Sequence, residues 1–322
     1  MEKNDLKYIS TSERSIIDVL LYYDVFDHPL TFEELRNNSK WNSLGRDEFN
    51  KSLDRLVSAG LVNKKQSFYY INGKDWTVEA RLSEQKRVAR FMKIARYTSR
   101  IVASFPFVRG VFISGALSKE RVEKKGDIDF FIITEAGKLW ISRTLLVMFK
   151  KIFLFNSFKY FCLNYFIDED TLEIPNKNRY TATDIVTLIP VYNTDAYRNF
   201  ISANKWVYDY YPNYPERKPT FTVKPWSAPL KKFAEFILQN RMGKKLDNWL
   251  MQHTYKYRRK KFSAMHEQKF DKAFVTQKNV STHHPNDFQD SVLERYHQNC
   301  NLFEQNHFRL INYPAAEQRG VK

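Results

Sequence analysis

Apolar positions change their period several times along the chain, and each change marks an element. In SERSIIDVLLYYDVF, Ile16, Ile17, Leu20 and Leu21 recur at helical spacing. Thr31 and Glu34 form a T-x-x-E capping box that opens a second, short helix. Phe49, Leu53, Leu56 and Val57 make a third apolar stripe, closed by Gly60. The following LV, NKKQS and FYYI predict a β-hairpin with NKKQS as its polar turn. A long basic helix is expected from about Glu79 to Ser104, with Val88, Phe91, Met92, Ala95, Ile101 and Val102 on its apolar side and Pro106 stopping it.

Runs of β-forming residues then take over. FVRGVFIS and DIDFFIIT predict strands, KLWISRTLLVMFKKIFLF predicts a helix because it lacks Gly and Pro, and FKYFCLNYFI predicts a third strand. Strand, polar connection, strand, helix, strand is the order of an α/β sheet domain. The proline-bearing stretch YYPNYPERKPTFTVKPWSAP reads as a linker or surface crossing, and the segments after it read as helical. Three regions are therefore expected: an accessory domain over 1–76, an α/β core over 77–195 and a basic, mainly helical region over 196–322.

Composition refines this picture. The 322 residues are 43% hydrophobic and 16% aromatic, enough to fill at least two cores. The longest uncharged apolar run of the most hydrophobic segment, TLLVMF, falls far short of the roughly 20 residues of a membrane-spanning helix. No membrane partner is expected. The N-terminal MEKNDLKYIS carries acids and lacks an apolar core, so export is not expected and the cytoplasm is the expected location. Cys162 and Cys300 read as reduced thiols, small buried hydrophobes, and no structural zinc framework is visible. The net charge of +16 is unevenly spread: −1 over 1–76, +6 over 77–195 and +11 over 196–322.

Candidate chemistry lies in ISGALSKERVEKKGDIDFFIIT, residues 113–134. Side chains at i and i+2 of a strand leave the same face about 6 to 7 Å apart. Asp127 and Asp129 then point one way while Ile128 and Phe130 enter a core. Two such carboxylates raise each other's pKa unless a cation sits between them. Mg²⁺ suits the position, since it takes carboxylate and phosphate oxygens. Upstream, Gly115 and Ala116 present backbone N–H groups with little side chain in the way of a triphosphate, and Ser114 and Ser118 add hydroxyls. Lys119, Arg121, Lys124 and Lys125 lie in the intervening loop, where they meet phosphate or simply water. Asp168-Glu169-Asp170 is a second acid-x-acid triplet without this context.

A strand ending in Gly plus a small residue, a gap of ten residues (Leu117 to Gly126), then Asp127 and Asp129 opening the next strand resembles the signature of the nucleotidyltransferase superfamily that includes DNA polymerase beta. The resemblance implies a mixed-sheet nucleotidyltransferase core, two Mg²⁺ ions (or Mn²⁺) held by Asp127 and Asp129, and an NTP as substrate. It implies transfer of a nucleoside monophosphate to an acceptor hydroxyl with pyrophosphate leaving. The acceptor, whether small molecule, protein or RNA, stays open. Two positions depart from the family. Ala116 replaces the usual serine, and the expected third carboxylate is Asn164 in FCLNYFID, leaving Asp168 as the substitute and Glu173 as a weaker one. An altered third acid makes a catalytically weakened, nucleotide-sensing regulator the alternative.

Residues 10–73 resemble a winged helix-turn-helix domain. Arg46, Lys51 and Arg55 of its third helix are cancelled by Asp47, Glu48 and Asp54, so protein contact or a structural role is favoured over DNA binding. In 241–261, Arg241, Lys244, Lys245, Lys256, Arg258, Arg259, Lys260 and Lys261 interleave with Trp249, Tyr255 and Tyr257. That pattern suits single-stranded nucleic acid or, equally, a solvated amphipathic face. Adjacent His283 and His284 point apart and read as turn residues before a helix capped by Asn286 or Asp287.

Overall fold

The computed structural model describes residues 8–40, 45–124, 126–155, 159–283 and 288–307. The chain begins α1 (Thr11–Asp24), β1 (Leu30–Thr31), α2 (Phe32–Asn38), α3 (Arg46–Ser58), β2 (Asn63–Lys65), β3 (Phe68–Tyr70) and α4 (Trp76–Ala103). It continues β4 (Val108–Ser114), α5 (Gly115–Ser118), β5 (Asp129–Thr134), α6 (Leu139–Phe153), β6 (Cys162–Asp168), α7 (Arg179–Val186), β7 (Ile189–Tyr192) and α8 (Thr194–Ala203). A 3₁₀ turn (Lys205–Asp209) precedes α9 (Ala228–Leu238), α10 (Arg241–Lys261), α11 (Glu267–Ala273), β8 (Val280–Thr282) and α12 (Phe288–Asn306). The protein is mixed α/β, and it forms two compact units. One takes the described residues of 1–83, 206–215 and 289–322; the other takes those of 84–205 and 216–288. The basic C-terminal region is thus divided between the units. Among the described residues no helix is long and apolar enough to cross a membrane.

In the first unit, Ile16, Leu20, Leu35, Phe49, Leu53 and Leu56 form a buried helical core. The capping box at Thr31 forms: its Oγ accepts from Glu34 N at 3.3 Å and Glu34 Oε2 accepts from Thr31 N at 2.8 Å. Ser10 and Glu13 build a second box at the start of α1. The hairpin differs from expectation. Residues Asn63–Lys65 are themselves a strand, paired antiparallel with β3, and the turn is only Gln66-Ser67. Lysines suit such an edge strand because they discourage pairing with another chain. Strand β1 joins the far side, giving the order β1-β3-β2.

In the second unit a five-stranded sheet runs β7-β4-β5-β6-β8. Helix α6 makes the crossover that sets β5 parallel to β6; the other neighbours are antiparallel. Phe91, Ala95 and Val102 of α4 and Trp140 and Leu146 of α6 pack with Val111, Ile113, Phe130 and Ile132 in one core. On the opposite face Phe112 stacks on Phe131 and Phe131 on Tyr165, with Phe200 of α8 closing over them at 4.9 Å between ring centroids. The alternation Ile128-in, Asp129-out, Phe130-in is present, with both apolar residues fully buried. Helix α10 docks on α6 through Asp247, which accepts from the N–H of Ile141 at 2.8 Å.

Candidate active site

Three chain segments meet at one end of the sheet. Ser114, the last residue of β4, stands opposite Asp129, the first of β5, and Asp129 stands opposite Cys162, the first of β6. Asp127 lies two residues ahead of β5. Ligating atoms of Asp127, Asp129 and Cys162 all fall within 4.8 Å of one another. The backbone turns sharply at Gly115, with φ at +65°, and a Cβ there would lie 2.1 Å from Asp129 Oδ2. Glycine is needed twice over: for the left-handed backbone and for the approach of the carboxylate.

Asn164 enters this cluster through a bulge. Phe130 pairs with Leu163 and Phe131 with Tyr165, so Asn164 is an extra residue in the parallel ladder. Its Nδ2 donates to Asp129 Oδ1, and its Oδ1 accepts from the Cys162 thiol at 3.1 Å. Burial pushes Asp129 up to about 7, and the charge of Asp127 adds to the effect. The Cys162 thiol is pushed up by burial and then by Asp129 and Asp127, so it remains an S–H donor.

The other expected residues divide. Ala116 is exposed beside the turn. Ser118 is buried and spends its hydroxyl hydrogen within the turn, donating to Gly115 O at 2.9 Å. Asp168 does not join the pair. It stands opposite Thr134 at the other end of β5, five residues from Asp129 or roughly 17 Å along the strand. There its carboxylate accepts from Gly137 N and Asp170 N, both at 3.2 Å. Strand parity suggested Asp168, but the bulge breaks that parity and strand length separates the two ends. Glu173 pairs with Lys177 at 2.7 Å, outside the cluster.

Two residues of the site carry no sequence signal. Asp184 and Tyr180 both come from α7, whose start is capped by Asn178 accepting from Thr181 N at 3.0 Å. The charge of Asp184 helps to raise Asp129. The Tyr180 phenol is pushed well up, by Asp184 first, then by burial and Asp129. Lys119 Nζ lies 2.7 Å from Asp184 Oδ1 and 3.1 Å from Gly115 O, tying α7 to the turn. Arg121 pairs with Glu123 at 2.9 Å, Lys124 is exposed, and Lys125 lies outside the described residues. Cys162, two residues before Asn164, was legible by strand parity but read as a plain core residue.

The basic helix α10 is only partly available to a ligand. Arg258 is buried and donates to Thr276 Oγ1 at 2.7 Å and Thr282 O at 2.9 Å; Arg259 pairs with Glu267 at 2.6 Å. His283 N donates to Asn164 O at 3.0 Å, joining β8 to the bulge. His284, Asn286 and Asp287 lie outside the described residues. No family model, curated protein or solved structure matches the chain.

Proposed function

We propose that the second unit is a nucleotidyltransferase that moves a nucleoside monophosphate from an NTP to an acceptor hydroxyl. The observation that carries this reading is the convergence of Asp127 and Asp129 against the bare backbone of Gly115 at the sheet end. The acceptor hydroxyl gives up its proton to a carboxylate of the site as its oxygen bonds the α-phosphorus, and the bond to the bridging oxygen breaks so that pyrophosphate leaves with that electron pair. The donor set fits Mg²⁺ or Mn²⁺: two carboxylates are hard oxygen ligands, and the protonated Cys162 thiol is left out of the shell. When bound, the ions supply charge neutralisation at the attacked phosphorus and lower the pKa of an oxygen nucleophile.

The chain's own residues do the rest. Asp127 and Asp129 hold the cation position, and Asn164 fixes the orientation of Asp129 through its amide. Gly115 leaves room for phosphate oxygens at the turn. Asp184 is the candidate third carboxylate, since Lys119 bridges it to the carbonyl of Gly115 and its charge acts on Asp129. Lys119 holds it beside the turn.

Asn164 in place of a strand acid supports the second reading, a weakened transferase that senses nucleotide. In that reading the first unit is the output module. Its order α1-β1-α2-α3-β2-β3 with a terminal hairpin supports the winged-helix reading, and α3 mixes Arg46, Lys51 and Arg55 with three acids, which favours protein over DNA.

The test is nucleotide binding by purified protein with and without Mg²⁺. Binding that needs the metal and disappears in the Asp127→Ala/Asp129→Ala double variant is expected; unchanged affinity in that folded variant would refute both readings. Label transfer from an α-labelled NTP then separates enzyme from sensor.

A further inference from the structure

Surface helices turn their apolar stripe to the core. Helix α9 does the reverse. Its inner side buries Lys231, whose ammonium donates to Ala103 O at 2.9 Å and Val108 O at 2.7 Å. Glu235, also inward, accepts from Phe107 N and Arg109 Nη1, both at 2.7 Å. Outward it presents Leu230, Phe233, Phe236 and Ile237, each more than half exposed. Helix α10 sends Leu250 and Met251 to the core but also leaves Met242 and Trp249 more than half exposed, so the exposed apolar surface continues from α9 onto α10. Leaving six such side chains in water is costly, at about 25 cal/mol for each Å² of apolar surface that cover would remove. A patch of this kind marks a contact surface.

Charge decides what it contacts. Lys232, Arg241, Lys244 and Lys245 are all exposed on the same two helices. The only acids of α9 and α10 are Glu235 and Asp247, and both are spent inward. A second copy of the chain would set two cationic faces against each other with no carboxylate from these helices to pair them. Nucleic acid meets the cations and stacks on the rings, but gives Leu230, Ile237 and Met242 nothing apolar to enter. An anionic bilayer surface satisfies both sets: acyl chains take the apolar side chains, and headgroup phosphates take the lysines.

We propose that the α9–α10 face is a peripheral membrane-contact surface selective for anionic phospholipid. A helix lying in the interface plane needs no spanning length, so the shortness of the apolar runs is no obstacle. The surface is independent of the transfer chemistry and stands or falls separately.

The test is flotation of the full chain with vesicles of phosphatidylcholine alone and of phosphatidylcholine mixed with phosphatidylglycerol. Flotation with the anionic vesicles only is expected. Phe233→Ser/Phe236→Ser, at exposed positions, should lower that partition by about tenfold while leaving the circular dichroism spectrum unchanged. Lys244→Glu/Lys245→Glu should lower it as well. Failure to float with anionic vesicles overturns the proposal, as does flotation insensitive to the phenylalanine pair. A dimer in light scattering that the phenylalanine variant splits, or RNA binding that it abolishes, would give the face to those partners and equally overturn it.

Discussion

The Cα of Gly115 is packed against the carboxylate of Asp129, with a Cβ at 115 falling 2.1 Å from Oδ2. Gly115→Ala therefore acts on the acid and on the backbone together. The left-handed φ costs about 1–2 kcal/mol for a residue with a Cβ, and the carboxylate must rotate away. Melting temperature is expected to fall modestly while metal-dependent nucleotide binding is lost; retained binding would show that the site tolerates a displaced Asp129.

Asp184→Asn tests the third carboxylate. It breaks the ion pair with Lys119, a contact only partly shielded from water and worth about 1 kcal/mol or less. Stability should barely move and nucleotide should still bind through Asp127 and Asp129. Label transfer should fall by about a hundredfold, the scale of a lost acid–base group. Wild-type transfer rates in this variant would remove Asp184 from the chemistry.

Asn164→Asp places a third negative charge on the Asp127–Asp129 pair and removes the amide that donates to Asp129. Without divalent metal the variant should lose roughly 2 kcal/mol, from repulsion and a lost hydrogen bond to a charged group. Mg²⁺ or Mn²⁺ should restore much of it. Thermal melts with and without metal read the difference, and a metal-independent loss would contradict the cation position.

Asp168→Ala is expected to leave nucleotide affinity unchanged, since Asp168 lies at the far end of β5 and β6. It should cost about 1–3 kcal/mol, because Gly137 N and Asp170 N lose their acceptor. Chemical denaturation and nucleotide titration of the same sample separate the two effects.

Asp247 predicts a pH dependence remote from the site. Its carboxylate accepts from the first N–H groups of α6, which by itself favours the charged form, yet burial dominates and lifts it from the ordinary 3.8 to about 6. The folded state therefore binds the proton more tightly than the unfolded chain. Its contribution is full below pH 4 and is lost as pH rises through 6, an effect of up to about 3 kcal/mol. Asp247→Asn should flatten unfolding free energy between pH 4 and 6; an unchanged slope would assign it to other groups.

Much of this architecture was legible in residue spacing. Ile16, Leu20, Phe49 and Leu53 repeat at helical intervals because they bury one side of a helix, and Phe130 and Ile132 alternate because they line one face of a sheet. Strands β7 and β8 were not legible: IPVY carries a proline and VST is short and polar, and each is a strand because a longer neighbour offers it hydrogen-bonding partners. The same distinction holds in the site. Asp127, Asp129 and Gly115 are close in sequence and show a pattern, whereas Asp184 comes to the turn only through the placing of α7 and its tie to Lys119. The inverted α9 was hidden for another reason: its composition is that of an ordinary amphipathic helix, and only the packing reveals which side faces in.

The bulge at Asn164 has a consequence for how this site can change. Leu163 and Tyr165 pair with consecutive residues of β5, so the ladder would close without Asn164. The side chain that touches Asp129 thus sits on the residue of β6 that pairing with β5 does not require, while its carbonyl still accepts from His283 N on the other side. Substitution of the side chain there does not touch the register of Phe166 and Ile167 with Ile132 and Ile133. The side chain beside Asp129 can therefore be exchanged without re-threading the β5–β6 ladder, so the charge set next to that carboxylate is decided at a position on which the register does not depend.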